Sequence, residues 1–398
     1  MPGGPVAVGV VALVALLAVV GLRLAAHDGD VSIFVLAGDG VTDPEEAPDG
    51  LHVEPGIRGY DGQAFYRFAL NPVSRDRVEH GIPLLRPAYR HQRIVYPLLA
   101  WAASGGGRPE AVPAALVGVN VLAGAALALV AATLARDAGR SPWWGLVPAG
   151  WAGFLVALSL DLSEVVAAAF LLSALLVLRR GRWGPAAALL VAAALTRETT
   201  LLVPLALLAA TALPRLWARL PLRTGDRLRR LPVGSDRRLD GWGAVVAGAV
   251  PLVAYGLWRG TLRVWWGPAP AGAEDVDAAL GVPFVGLART MADLGTLDAT
   301  GVLQLALALA GVVLAGSALL DREAGRPHER LALAGALLLV SATTKWDLDV
   351  TFLRWAGDAV VLGWLVALDG GTTARLRRLA VVAAPLWLIT AQAWIPAP

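Results

Sequence analysis

Apolar residues run through this chain in long blocks, near 5–23, 111–135, 142–159, 163–178, 184–196, 199–213, 241–258, 301–320, 331–344, 351–368 and 379–396. Most have the length at which a helix rising about 1.5 Å per residue crosses a hydrocarbon core of about 30 Å. They are continuous and show no alternation of period two, which argues against a β-barrel. The pattern predicts an all-α, polytopic transmembrane bundle of about eleven spans, forming a single integral membrane domain over residues 1–398. The first block, PVAVGVVALVALLAVVGL at 5–22, follows MPGG, which carries no basic side chain. It also exceeds the apolar core of a signal peptide, about 7–15 residues, so it is read as a retained first helix. Residues 94–104, IVYPLLAWAAS, are too few to span and are expected to lie along the membrane interface.

Polar residues between the blocks orient them. RDAGR at 136–140, RRGRW at 179–183, DREAGRPHER at 321–330 and TTARLRR at 372–378 are basic, and the loop 214–240 holds eight arginines against three aspartates. Arg-rich loops stay cytoplasmic, so these five connections and the amino terminus are placed inside. The remaining loops then face outward: 24–110, LDLSE at 160–164, TRETT at 196–200, 259–300 and KWDLDV at 345–350. Counting 94–104 as a span would turn 179–183 and 214–240 outward, against the same rule.

Composition agrees with a membrane protein. Of the 398 residues 57% are hydrophobic and only 16% charged, and mean hydropathy is +0.61. The absence of cysteine excludes disulfides, thiolate nucleophiles and Cys-based metal sites. The pI of about 9.7 reflects arginines between spans, so no nucleic-acid partner is expected. The Ala/Gly/Val/Arg bias looks like translation of a GC-rich bacterial genome, which points to a bacterial plasma (inner) membrane.

Candidate chemistry gathers on the outward side. YDGQAFYRFALNP at 60–72 supplies Tyr60, Asp61, Gln63, Tyr66 and Arg67. RPAYRHQRIVYP at 86–97 supplies Arg86, Arg90, His91, Gln92 and Arg93. LDLSE carries Asp161 and Glu164, the hairpin tip carries Arg197 and Glu198, and KWDLDVTFLRW adds Lys345, Asp347, Asp349 and Arg354. Each has a structural reading: Arg197 and Glu198 as a local pair closing a tight hairpin, Asp161 as a turn residue, His91 as an interfacial packing residue. Asp61 also suits a turn, yet an outward carboxylate among arginines and aromatics can serve as general base toward a hydroxyl. Arginines 86, 90 and 93 suit a phosphate, which guanidinium grips bidentately. The other histidines, 27, 52, 80 and 328, have no i, i+4 pairing. Spacing therefore lends a divalent cation no support, and no other cofactor is expected.

YDGQAFYRFALNP followed by RHQRIVYPLLAW resembles the first outward loop of the GT-C superfamily, integral membrane glycosyltransferases that use polyprenyl-phosphate sugars. The order of first span, Asp-bearing loop, interfacial helix, basic turn, acidic turn (LDLSE) and polar tip (LTRETTLLVPLAL) is similar to bacterial mannosyltransferase-like members, over roughly residues 1–215. Many members have a second acidic residue beside the Asp; here Gly62 stands there. The resemblance implies a GT-C-like bundle in which Asp61 is the catalytic base. Tyr60, Gln63, Tyr66, Arg90, Arg93 and Arg197 then line the substrate and phosphate site, with Glu164 and Glu198 orienting the arginines. The implied partners are a polyprenyl-phosphate-linked sugar, a glycan, lipid or protein acceptor, and membrane lipids. A transporter or lipid flippase, or a non-catalytic GT-C-like assembly factor, is the competing expectation.

Overall fold

A computed structural model describes residues 4–84, 86–217, 242–267, 280–344, 346 and 351–396. Lys345, Asp347 and Asp349 lie outside them, as does most of the basic loop 214–240. The fold is mostly helical. Its helices are α1 Pro5–Ala26, α2 Gly62–Leu70, α3 Pro87–Arg90, α4 Val95–Ala103, α5 Val112–Asp137, α6 Leu146–Ala149, α7 Ala152–Ser159 and α8 Glu164–Arg179. They continue as α9 Trp183–Thr196, α10 Leu202–Trp217, α11 Trp242–Trp266, α12 Val285–Ala292, α13 Ala299–Gly316, α14 Pro327–Ala342, α15 Thr351–Leu368 and α16 Ala374–Trp394. Among the described residues five helical stretches are long and apolar enough to cross a membrane: Pro5–Ala26, Val112–Asp137, Trp242–Trp266, Ala299–Leu320 and Thr351–Leu368.

Local chemistry marks the ends of these helices. α5 opens with Pro113 in its first turn, where no intrahelical N–H is needed. It stops at Gly139, whose φ of 70° lets the Arg140 N–H turn back to the Ala135 carbonyl at 2.8 Å. α14 begins at Pro327, with the Glu329 carboxylate accepting from the Arg326 N–H at 3.0 Å. The apolar run 142–159, expected as one span, is instead three pieces: a 3₁₀ turn at Pro142–Gly145, then α6 and α7. Pro148 and Gly150 interrupt the backbone ladder there, while the Trp151 indole donates to the Leu353 carbonyl at 2.7 Å and secures α7 to α15. The run 241–258 is longer than expected, because the helix continues to Trp266 and takes the first residues of the expected outward loop 259–300.

Helices pack in series, α1 on α5, α5 on α8, α8 on α9, α9 on α11, α11 on α10, α10 on α14 and α14 on α15. α15 also receives α7 and α13 and is the axis of the bundle: its apolar window is 89% buried, against 22–44% in the other four candidate spans. An apolar cleft of about 440 Å³ opens among α1, α5, α6 and α16, lined largely by alanine and glycine.

Residues 27–111 form a cap on one end. The cap is not purely helical. Ala37–Gly38 pairs in parallel with Val53–Glu54, and Val78–Glu79 pairs antiparallel with Ile82–Pro83. α4, nine residues from Val95 to Ala103, is the short element expected at 94–104. Gly62 seats the cap: a Cβ there would run into the backbone carbonyls of Val35 and Leu160, so only glycine lets α2 approach the α7–α8 turn.

Candidate active site

Seven charged side chains from five segments meet at the capped end. Asp61 immediately precedes α2, where an aspartate usually caps the helix with its own side chain. Here it makes no capping bond. Its Oδ1 instead accepts from Arg90 Nη1, and its Oδ2 lies 4.0 Å from Arg93 Nη1. Arg93 is held by Glu198 in a two-pronged contact, Nε to Oε2 at 2.9 Å and Nη2 to Oε1 at 2.6 Å. Tyr89, one turn earlier, takes a further bond from Arg93 at 3.1 Å and lies under the guanidinium with its ring 5.2 Å away.

A second group adjoins the first through Tyr60. The Tyr60 hydroxyl accepts from Arg354 Nη1 at 2.8 Å and lies 3.1 Å from Thr351 Oγ1. Arg354 in turn grips Glu164, Nε to Oε1 at 2.7 Å. Arg197 Nη1 reaches the same carboxylate oxygen at 2.5 Å. Arg197 and Glu198 therefore do not pair with each other, as the local-hairpin reading expects. The chain reverses extended at Arg197, with φ −156° and ψ 125°, and sends the two side chains to different partners.

The ion-paired set holds four arginines (Arg90, Arg93, Arg197, Arg354) and three carboxylates (Asp61, Glu164, Glu198), an excess of one positive charge. Burial alone would push the Asp61 carboxyl upward, but Arg90, Arg354 and Arg93 together hold it below the usual carboxylate range. Glu198 is likewise drawn down to about 2, against burial, by Arg93. Both are anionic at neutral pH. Asp61 keeps 27% of its side chain exposed, so an incoming hydroxyl can reach it. A small recess of about 10 Å³ lies beside it, walled by Ala64, Phe65, Tyr89, Arg90 and Arg93.

Asp61, Tyr60, Arg90, Arg93, Glu164, Arg197 and Glu198 are thus brought together as the sequence predicts. Gln63 and Tyr66 are not. The Gln63 amide accepts from Thr42 Oγ1 at 2.7 Å and donates to the Arg58 carbonyl at 3.1 Å, tying the cap together. Tyr66 is wholly buried in the apolar core, and burial pushes its phenol up to about 12. Helical phase separates them: Ala64 and Phe65 share the Asp61 face of α2, and Gln63 and Tyr66 lie off it. Arg67, named with them, is buried and donates to the Arg77 carbonyl at 3.0 Å as part of the cap.

Asp161 is more than a turn residue. It is fully buried, left-handed at φ 48°, and lies 3.5 Å from the Tyr96 hydroxyl, which Asn120 Nδ2 also reaches at 2.8 Å. His91 is also buried, stacked on Phe68 at 4.1 Å, and its packing role agrees with the structural reading.

Three participants, Tyr255, Arg259 and Asp358, go unnamed in the sequence reading, and a fourth, Arg354, has no role there. Arg354 was visible only as one charge in an outward loop. Tyr255 and Arg259 lie in α11, where both bond Gln92 Oε1, at 2.8 and 3.0 Å, beside Arg93. Asp358, one turn along α15 from Arg354, accepts from Thr199 Oγ1 at 2.5 Å. The available signal was a pair of opposite charges four residues apart in an apolar helix.

Among the described residues no three His, Asp or Glu side chains converge on one point as a metal ligand set. Arg93 stands between Asp61 and Glu198, so a divalent cation would meet guanidinium where it needs a second carboxylate. No protein-family model matches the chain, and neither does any curated protein or solved structure.

Proposed function

We propose that the protein is a GT-C-like membrane glycosyltransferase that moves a sugar from a polyprenyl-phosphate donor to an acceptor hydroxyl. The observation that carries this reading is the part-exposed Asp61 carboxylate set among arginines that outnumber their acidic partners. The acceptor oxygen attacks the anomeric carbon and its proton passes to Asp61. The bond from that carbon to the phosphate oxygen breaks, and polyprenyl phosphate leaves with the electron pair. Direct displacement inverts the anomeric centre. A phosphate leaving group is stabilised by positive charge and needs no protonating acid, so one carboxylate with Arg90, Arg93 and Arg197 suffices. A hydrolytic glycosidase needs two carboxylates because its leaving group is an alkoxide.

In this reading the apolar blocks cross the membrane about eleven times, with 142–159 as a broken crossing, the amino terminus is cytoplasmic, and the capped end faces outward from a bacterial plasma membrane. The isoprenoid chain takes an alanine- and glycine-lined trough, for which the cleft at Gly124 and Trp387 is the candidate. The acceptor is a glycan, lipid or protein hydroxyl. One observation favours a transporter instead: Asp358 is an ionisable group inside α15 whose hydrogen bond comes from the neutral Thr199. Purified protein in detergent, offered a panel of polyprenyl-phosphate sugars, separates the two. Transfer or slow donor hydrolysis that disappears in a folded Asp61→Asn supports the transferase. No turnover of any donor, with Asp358-dependent uptake in vesicles, supports the transporter.

A further inference from the structure

The geometry points to Arg90 as an exchangeable guanidinium for which Asp61 and a phosphate compete, so that capture of the phosphate and release of the base are one event. This inference rests on the transferase reading and concerns the order in which its site works.

The recess beside Asp61 holds about 10 Å³, room for one water at most. A phosphate, with its oxygens around a central phosphorus, enters only where a wall gives way. The walls are not equally held. Arg93 is fixed by both oxygens of Glu198, by the Tyr89 hydroxyl and by the Tyr89 ring. Arg90 ends the four-residue helix α3 with 30% of its side chain exposed, and among the described residues its one partner is Asp61. Arg90 is therefore the wall that moves.

What replaces Asp61 at Arg90 must be an anion with oxygens placed for a guanidinium fork, and a phosphate meets both demands. As Arg90 turns to it, the guanidinium excess of the site is used and Arg93 stays on Glu198 to hold a second phosphate oxygen. Asp61 loses the closest of the positive charges that suppress its basicity and is left facing the acceptor hydroxyl. Without a phosphate, Arg90 masks the base and water is not activated. The chemistry is common to a lipid phosphate and to free phosphate; a lipid phosphate adds its isoprenoid chain.

Reciprocity makes this testable without turnover: if phosphate draws Arg90 away from Asp61, neutralising Asp61 must tighten phosphate binding. The experiment is a titration of the purified full chain in detergent with farnesyl phosphate, with farnesol and inorganic phosphate as separate arms. Asp61→Asn is expected to bind farnesyl phosphate about tenfold tighter than wild type. Arg90→Gln is expected to bind about tenfold weaker, Arg90→Lys to recover part of that loss, and Asp61→Asn to have no further effect in the Arg90→Gln background. Inorganic phosphate is expected to follow the same cycle more weakly, and farnesol to be indifferent to all of the changes. Unchanged or weaker binding in Asp61→Asn, or the same tightening with and without Arg90, overturns the inference. Asp61→Ala repeats the test should Asn disturb the fold. A cycle that holds while no sugar is ever transferred removes the transferase reading and keeps the exchange. Transfer without the cycle does the reverse.

Discussion

Arg179, at the end of the bundle away from the cap, donates to two carboxylates together, Glu329 at 2.7 Å and Asp369 at 2.9 Å. Arginines around it close helix ends: Arg330 bonds the Leu319 and Ala324 carbonyls at 2.8 Å each, and Arg326 bonds that of Arg179 at 3.3 Å. Around Asp61 at the capped end, the arginines meet carboxylates and tyrosine hydroxyls instead. The contrast is between arginines spent on helix-end carbonyls and arginines gathered on shared carboxylates. Of the two carboxylates on Arg179, Glu329 is sealed from solvent, while Asp369 at 28% is as exposed as Asp61 at 27%. Arginine and carboxylate are the same materials at both ends, so what separates a structural network from a candidate site is convergence: several arginines share carboxylates beside a recess at Asp61.

Changing one member at each end tests that contrast. The largest effect is expected for Asp61→Asn, which should lower sugar transfer on the order of 10²–10⁴-fold, the usual worth of a general base. Its thermal midpoint should stay near that of wild type. Glu329→Ala should do the opposite. Removing one partner of a buried ion pair costs about 3–5 kcal/mol, read as a lower thermal midpoint, with transfer per folded molecule unchanged. If Glu329→Ala lowers transfer per folded molecule as Asp61→Asn does, the two ends are not distinct in function.

The helical character of the fold was legible in the sequence because hydropathy is summed residue by residue along the chain. The apolar stretch 94–104 holds one nine-residue helix, α4, as short as its sequence predicts. Asp61, Arg90 and Arg93 lie within one loop, so their meeting needed little foresight. Arg354 was harder, since it reaches Tyr60 across 294 positions of sequence and nothing local announces that contact. Gln63 and Tyr66 stand close to Asp61 in sequence, but helical phase turns them off its face of α2. The break between α6 and α7 was hidden because hydropathy sums apolar residues without registering which of them can keep the backbone ladder.

His91 offers a pH-dependent version of the contrast, since it holds the loop that carries Arg90 and Arg93. The Trp266 indole donates to its Nδ1 at 3.3 Å, so Nε2, 2.9 Å from the Pro72 carbonyl, carries the proton of a neutral ring. Burial lowers its pKa to about 4. The unfolded chain binds a proton near pH 6.5, so stability from the neutral ring is complete above that value and is lost as pH falls toward 4. A shift of this size is worth about 3 kcal/mol between those limits. Thermal midpoints from pH 7 to 4.5 should fall more steeply in wild type than in His91→Gln. Equal slopes would mean that His91 is no part of what holds the cap at the site.

Among the substitutions expected to destabilise, the smallest loss is also the one that best joins fold to function. Gly62 is pressed against the Val35 and Leu160 carbonyls, and Gly363 in α15 is pressed against Ala315 well away from the cap. Alanine at either position overpacks a backbone approach and should cost about 1–3 kcal/mol. The consequences beyond stability should differ. A methyl group at Gly62 lifts α2 off the α7–α8 turn and carries Asp61, its immediate neighbour, away from Arg90 and Arg93. Gly363→Ala strains the α13–α15 contact and leaves the arginines in place. Matched for loss of thermal midpoint, Gly62→Ala should therefore transfer less sugar per folded molecule than Gly363→Ala. Equal transfer by the two would mean that the site tolerates movement of Asp61, and the glycine beside it would then serve packing alone.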